Sequence, residues 1–315
     1  MIGDLMLDHY CFGECSRLSP DAPVPVVVLK DEQEMLGGAA NVSLNLKSLG
    51  CKTYISGFLG KDVEGDKCFS MLKDHGIHSD TVIRTSNPTT AKIRVIGNGQ
   101  HLIRYDREES HSSIEDRENL VESLRDLDVS FDAIVVSDYT KGVVSAEIME
   151  ALPSIFPGVR IFVDPKPANI CLYNNVFCIS PNFHEALRMT DPSLSDPEDL
   201  AKGLKDRLGV DVVLITMSQQ GVYVSGLDQD RLFEAYSLAK KDTVRPYRVD
   251  VVGAGDTFIA TFAALMISDA SLFFSTCLAN MAAGIVVNKQ GTQVIDLDEL
   301  NKEIDYAKKM VADAG

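Results

Sequence analysis

In the octapeptide Asp250-Val251-Val252-Gly253-Ala254-Gly255-Asp256-Thr257 one carboxylate, Asp256, stands directly behind a glycine-flanked turn and ahead of the apolar run from Phe258 to Met266. That run is helix-forming, so the amides of Gly253, Ala254 and Gly255 point free at a helix N-terminus, where the dipole favours an anion such as a phosphoryl group. A carboxylate at such a cradle repels phosphate unless it faces the attacking nucleophile. Asp256 therefore suits a general base that accepts a hydroxyl proton while the amides stabilise the charge in transfer. Taken alone, the segment reads equally well as a tight turn followed by an ordinary acidic first-turn residue.

Four other groups of residues have types and spacings suited to the same chemistry. Gly37-Gly38-Ala39-Ala40-Asn41 leads into a helix whose Val42, Leu46 and Leu49 are spaced for one buried face and which ends at Gly50. Gly37 and Gly38 let backbone approach a ligand, and Asn41 offers a donor and an acceptor to a polyhydroxylated molecule; a solvated Asn after a strand-to-helix turn is the alternative. Asp4 and Asp8 flank the end of the first strand, where carboxylates are placed to grip sugar hydroxyls. Asn182 and Glu185 share a face at a helix start and suit magnesium held through water, or equally a helix cap. Lys92 and Arg94, two apart and so on one strand face, form with Arg104 either a patch for a second, non-transferred phosphate or a solvated edge row.

The elements that must carry these residues follow from the hydrophobic pattern. From about residue 130 onward, apolar runs of strand length at 133–136, 160–163, 176–179 and 212–215 alternate with helical segments near 145–153, 181–189 and 197–208. Near-continuous apolar strands separated by helices predict a parallel sheet covered on both faces, with ligands beyond the carboxyl ends of its strands. Two insertions, about 9–36 and 82–108, break that rhythm. They hold the strand Val24 to Leu29 and strands around the turn Gly97-Asn98-Gly99, which predict a small β-sheet serving as a lid or as a pairing surface for a second copy, unless both are edge strands of the main sheet. One continuous domain over 1–315 is expected.

Composition narrows the setting. With 315 residues, 45% hydrophobic and 24% charged, the chain can bury a sizeable core. The 30 Lys and Arg against 46 Asp and Glu give a formal net charge of −16, which argues against nucleic acid or an anionic membrane as partner, so an anionic substrate must be drawn in by local basic residues. Seven cysteines without CxxC pairing suit reduced, buried thiols and a cytoplasmic setting, and the six histidines show no HExxH spacing. Neither a membrane-spanning apolar run nor a signal peptide is evident. The opening Met1-Ile2-Gly3-Asp4 reads like the end of a first strand whose start lies upstream.

Together, Gly37 to Asn41 and Asp250 to Thr257 resemble the sugar-side and nucleotide-side motifs of the ribokinase/PfkB family of carbohydrate kinases, and the likeness runs over nearly the whole chain. The resemblance implies a doubly wound α/β fold, a mostly parallel sheet with helices on both faces and a small β lid. It implies Asp256 as catalytic base, Gly253, Ala254 and Gly255 as anion hole, and Asn182 with Glu185 serving Mg2+ and the ATP phosphates. Within the family, segments 3–8, 16–26, 89–94, 137–142 and 164–166 are most similar to its heptose 7-phosphate kinases. That likeness implies phosphorylation of the anomeric hydroxyl of D-glycero-β-D-manno-heptose 7-phosphate, a step toward ADP-heptose and the lipopolysaccharide core. It makes Asp8 and Asn41 hydroxyl ligands and Lys92, Arg94 and Arg104 a clamp for the sugar and its 7-phosphate, and it adds Asp138 on the substrate side and Lys166 on the nucleotide side. Thr216, Ser218 and Gly221, after the strand at 212–215, and Asn280 on the last long helix complete the expected nucleotide set.

The chain departs from the pattern in two respects. Two-function relatives carry a cytidylyltransferase domain after the kinase, whereas this sequence ends at Gly315 without the His-x-Gly-His such a domain needs; a kinase alone, or one cut from a longer protein, is expected. Val252 and Thr140 differ from many related sequences, leaving a monovalent cation near Asp250 an open expectation. A homodimer joined through the lid sheets is the expected assembly. Two alternatives stand beside this reading: a kinase of another sugar or sugar phosphate, and a non-catalytic sugar-binding protein on the same fold, against which the intact Asp256 and glycine turn argue.

Overall fold

The computed structural model describes residues 1–109, 113–227, 229–236, 252–289, 291 and 293–312. Its elements run β1 (Ile2–Gly3), β2 (Leu5–Leu18), β3 (Pro25–Gly38), α1 (Ala39–Ser48), β4 (Tyr54–Gly60), α2 (Val63–Asp74), β5 (His78–Thr85), β6 (Thr90–Gly97), β7 (Gln100–Arg107), α3 (Ile114–Arg125), β8 (Ala133–Ser137), α4 (Ala146–Ile155) and β9 (Arg160–Asp164). There follow β10 (Cys178–Ile179), α5 (Phe183–Met189), α6 (Pro197–Leu208), β11 (Val212–Thr216), β12 (Val222–Gly226), β13 (Gln229–Phe233), α7 (Ala254–Ile267), α8 (Leu272–Val286), α9 (Leu297–Asn301) and α10 (Ile304–Ala312). No helix among the described residues is long and apolar enough to cross a membrane. All seven cysteines are free.

The main sheet has the order β13-β12-β11-β10-β9-β8-β1-β4-β5, parallel from β11 to β5 and antiparallel at β12 and β13. Its central strands are continuous apolar runs because alternate side chains feed two separate cores. Ile134, Val136, Ile161, Val163, Val213 and Ile215 pack with α3 to α6, whereas Val135, Phe162, Val212 and Leu214 pack with α1, α7 and α8. This is the two-sided parallel sheet that the sequence pattern predicts. The strand expected at 176–179 is shortened to its last two residues, since Val176 and Phe177 precede the pairing with β9 and β11.

A separate four-stranded sheet has the order β3-β2-β6-β7. Its boundaries differ from the expected insertions at both ends. β2 and β3 pair from Leu5 opposite Gly38 outward to Leu18 opposite Pro25, so the lid grows directly out of the core rather than starting at residue 9. Residues 82–85, expected in the lid, instead finish β5, because the α2 crossover returns that strand parallel to β4 at the main sheet's edge. The exposed outer strand β7 is tied back to the body by Arg107, which reaches Asp62 at 3.2 Å and Glu64 at 2.6 Å. Beyond it, Glu108 pairs with Lys141 at 2.8 Å.

One glycine fixes the join between lid and core. Gly38 has φ 57° and ψ −135°, a conformation open to glycine, and a Cβ there would lie 2.5 Å from the Asp4 carbonyl oxygen and 2.7 Å from Met6 Cε. The hydrogen of Gly38 lets the chain turn from β3 into α1 while the Ala39 amide donates to that same carbonyl at 3.0 Å. That turn aims the first residues of α1 at the carboxyl ends of β1 and β8.

Candidate active site

Asp256 lies in the first turn of α7, whose start is set by Gly253 in the left-handed region at φ 81°. The opening amides of this helix have no intrahelical acceptor and present a partial positive charge beside the carboxylate. Asp256 is only 4% exposed, and both of its oxygens are held. Oδ2 accepts from Asn41 Nδ2 at 2.7 Å, and Oδ1 accepts from the Tyr139 hydroxyl at 3.0 Å. Behind them Asn45 Oδ1 accepts from Thr257 Oγ1 at 3.0 Å, while Asn45 Nδ2 donates to the Asn41 carbonyl at 2.9 Å. The two glycine motifs, far apart in the chain, are thus stitched into one site. Burial pushes the Asp256 carboxyl up to about 6, with the Asn41 and Tyr139 hydrogen bonds opposing that rise, Asp8 adding to it and Lys166 working against it.

The remaining carboxylates divide into those taken up by loop amides and side-chain donors and those that stand beside cations. Asp4, expected to grip sugar hydroxyls, instead accepts from the amides of Tyr139 at 2.7 Å, Lys141 at 3.0 Å and Val143 at 3.1 Å. It fixes the loop that carries Tyr139, and burial raises it to about 6 despite those amides. Asp138, expected on the substrate side, is likewise taken up by protein donors: the Thr140 amide at 2.6 Å, Asn169 Nδ2 at 2.7 Å and the Tyr173 hydroxyl. Both departures have one cause. Where a strand ends, nearby loop amides need acceptors, and a buried carboxylate supplies them.

Asp8 pairs with Arg94 Nη1 inside the lid, side chains 5% and 7% exposed, and the guanidinium sits 5.0 Å from the centre of the Tyr10 ring. Gly37 packs so closely that a Cβ there would lie 2.5 Å from Asp8 Oδ2. Lys92 and Arg94 share a face of β6, and Arg104 stands directly opposite Arg94 on β7, so the three cations line one surface. Lys92 Nζ lies 5.5 Å from the Tyr139 ring centre, and burial draws its pKa below the ordinary lysine value, with Asp8 and Asp106 pulling it back. Arg104 is exposed and paired with Asp106 at 3.1 Å.

Lys166 Nζ also lies near Tyr139, 5.4 Å from its ring centre, and bonds Glu185 Oε1. Asn182 is the N-cap of α5 rather than a residue within it. Its Oδ1 accepts from the Glu185 amide at 3.0 Å, and Glu185 Oε2 accepts from the Asn182 amide at 2.9 Å. The pair is therefore a capping box first, leaving Glu185 Oε1 toward Lys166. Asp164, at the carboxyl end of β9, is pushed up to about 7 by burial, with Lys166 lowering it and Asp256, Glu185 and Asp138 raising it further. Burial opposes the charge on Lys166 too, but Asp164 and Glu185 outweigh it and hold the ammonium above its ordinary range. A single lysine among this excess of carboxylates leaves net negative charge, which fits a hydrated divalent cation.

Tyr139 and Asp164 are the site residues that sequence reasoning passed over. Asp164 carried a usable signal, a carboxylate ending an apolar strand of a parallel sheet. Tyr139 carried none, because its role rests on the loop shape that Asp4 imposes. Of the expected adenine set, Thr216 ends β11 and bridges to Asn182, and Ser218 adopts φ 52° in the following turn. Gly221 and Asn280 are accounted for by packing: a Cβ on Gly221 would fall 1.9 Å from the Phe233 carbonyl oxygen, and Asn280 Nδ2 donates to the Glu234 carbonyl at 2.8 Å. Asp250 and Val251, and with them the monovalent-cation expectation, lie outside the described residues.

Comparisons with known proteins agree with this geometry. The pfkB family carbohydrate kinase model matches residues 1–299. Bifunctional protein HldE of Sulfurimonas denitrificans is 36% identical over 324 residues, covering 100% of this chain and 65% of that protein. HldE of Magnetococcus marinus is 37% identical over 312 residues, covering 95% of this chain and 62% of that protein. The chain thus spans just under two thirds of these relatives. Phosphofructokinase-2 from Escherichia coli in complex with potassium superposes with a TM-score of 0.78 at 18% identity, covering 98% of this chain and 97% of that chain. Arabidopsis thaliana ribokinase complexed with ribose and ATP superposes with a TM-score of 0.71 at 22% identity, covering 96% of each chain. At these identities the structural likeness shows the fold.

A raised carboxyl pKa has a stability cost whose sign is fixed. The folded Asp256 carboxyl, at about 6, binds its proton more tightly than an ordinary aspartate at 3.8, so stability is withheld above about pH 6 and recovered as pH falls toward 3.8. Asp256→Asn removes that buried charge and is expected to stabilise the fold by up to about 3 kcal/mol at pH 8, at 1.36 kcal/mol per pKa unit. Denaturant unfolding of both proteins at pH 8 and pH 4 checks this; a variant less stable than the native protein at pH 8 contradicts the burial argument.

Proposed function

The chain belongs to the pfkB family of carbohydrate kinases, and on that premise we propose that it transfers the γ-phosphoryl group of ATP to the anomeric hydroxyl of D-glycero-β-D-manno-heptose 7-phosphate. The observation that carries the phosphoryl-transfer reading is the buried Asp256, held by Asn41 and Tyr139 beside the open amides of α7. Asp256 takes the proton of the attacking hydroxyl, and its pKa of about 6 keeps it ionised yet basic enough to do so at neutral pH. The amides at residues 253–255 hold the charge of the group in transfer, and Lys166 supplies a cation for the ATP phosphates. Bound Mg2+ neutralises phosphate charge; Asp164 and Glu185, with Asn182 at the helix cap, are the residues that would hold it, through water. The lid excludes water that would otherwise accept the phosphoryl group.

The sugar is read from the segments similar to heptose 7-phosphate kinases, supported by the shared basic face of Lys92, Arg94 and Arg104. Arg94 is buried in its pair with Asp8, so it orients that carboxylate toward sugar hydroxyls, while Lys92 and Arg104, whose pair with Asp106 is a weak exposed one, serve the 7-phosphate. Two copies join through their lid sheets, which expose Leu18, Val28, Ile103 and Tyr105. Light scattering at micromolar concentration is expected to give the mass of a dimer, and a monomer there removes the lid-pairing proposal.

Below pH about 6, kcat/KM is expected to fall tenfold per unit as Asp256 gains its proton. Tyr139→Phe removes a hydrogen bond that favours the charged carboxylate, so its acid limb moves to higher pH; an unmoved limb denies Tyr139 this role. Asp256→Asn costs on the order of a hundredfold or more in turnover.

Substrate identity is tested by phosphorus NMR of the product from heptose 7-phosphate and ATP, where a new anomeric phosphate is expected. Lys92→Ala should raise KM for that substrate by about tenfold, the worth of one charge-assisted contact, and leave unphosphorylated sugars unaffected. Equal loss with both kinds of sugar, or preference for a ribose- or fructose-type acceptor, replaces the heptose reading.

A further inference from the structure

Strand β2 shows Asp8 on one face and, by alternation, His9 and Cys11 on the other. His9 and Cys11 stand directly across from Glu34 and Glu32 of β3, so four side chains with metal-ligand chemistry form a square on one patch of the lid. His9 Nε2 lies 3.6 Å from Cys11 Sγ and 3.3 Å from Glu32 Oε2, and one ligand atom from each of the three falls within 4.8 Å of the others. A tetrahedral ion with thiolate at about 2.3 Å and imidazole and carboxylate at about 2.0 Å separates sulfur from nitrogen by about 3.5 Å and nitrogen from oxygen by about 3.3 Å. Alternation along β2 and its register with β3 bring these side chains together, and two of the three ligand separations already match those such an ion requires.

We propose that His9, Cys11 and Glu32 bind a transition-metal dication of the Zn2+ type on the lid face away from Asp8. A thiolate and an imidazole select zinc-like ions over Mg2+, which takes oxygen ligands. Cys11 releases its thiol proton to solvent on binding, so one thiolate, one carboxylate and a neutral imidazole balance the two charges of the ion. Glu34, held by Lys67 at 2.6 Å, adds negative charge beside the site, and water or Glu34 itself completes the fourth position. His9 and Glu32 have side chains 21% and 48% exposed, which gives an ion a way in from solvent. Occupancy links β2 to β3 just before the register shift between Phe12 and Gly13, stiffening the strand that carries Asp8.

Tag-free protein in excess Mg2+, titrated with Co2+, tests this by the thiolate-to-cobalt charge-transfer absorption. One equivalent of Co2+ is expected to saturate it and Zn2+ to displace it. Cys11→Ser and His9→Gln should abolish the band, whereas Cys15→Ser and Cys171→Ser retain it. No band in the native protein, or a band that survives in Cys11→Ser, overturns the site. Should either variant fail to fold by circular dichroism, Glu32→Gln at the exposed corner decides instead: Co2+ affinity lower by at least about tenfold upholds the site, and unchanged affinity overturns it.

Discussion

The burial of one carboxylate between two donors drawn from distant parts of the chain is the constraint around which the rest of the molecule is arranged. Asp256 is almost fully removed from water, which opposes its charge, and among the described residues Asn41 from α1 and Tyr139 from the loop after β8 meet its two oxygens. Each donor depends on further structure. Asn41 is aimed by the turn at Gly38 and braced by Asn45; Tyr139 is aimed by the three amides that Asp4 gathers. A displaced donor would leave a buried acceptor unsatisfied, a loss on the order of 1–3 kcal/mol for an uncharged group and more for an ion. The geometry around Asp256 and the stability of the fold are therefore coupled through the same few hydrogen bonds.

Charge is arranged by the same logic on a larger scale. The chain carries an excess of acid, yet the carboxylates at the strand ends do different work according to what surrounds them. Asp4 and Asp138 are consumed by loop amides and side-chain donors, whereas Asp164 stands beside Lys166. Burial opposes the charge on both lysines near the Tyr139 ring, yet they end differently: Lys92 falls below its ordinary value, whereas Asp164 and Glu185 hold Lys166 above its own. Carboxylate density thus decides the strength of the local positive charge that an anionic protein offers to a phosphorylated ligand.

The lid follows from strand alternation. β2 leaves the core immediately after Asp4, so one face of a continuous strand presents Asp8 while the other presents His9 and Cys11. The β6–β7 register brings Arg94 opposite Arg104, and the β2–β3 register brings Cys11 opposite Glu32. A shift of one residue would exchange the two faces, so both surfaces of the lid stand or fall together.

By itself the sequence determined the two-sided parallel sheet, since its apolar runs at strand length admit no half-exposed arrangement, and it determined the helix start behind Asp256, since glycine spacing and helix propensity are local properties. It also marked Lys92 and Arg94 as sharing a face. Only the tertiary structure decided which acids brace loops and which pair with cations: Asp4, Asp8, Asp138 and Asp164 are alike as letters near strand ends, and their partners depend on which amides, cations and hydroxyls the loops bring within hydrogen-bond reach. Tyr139 shows the same limit. Its meeting with Asp256 spans 117 residues and rests on a loop shape that no local pattern encodes.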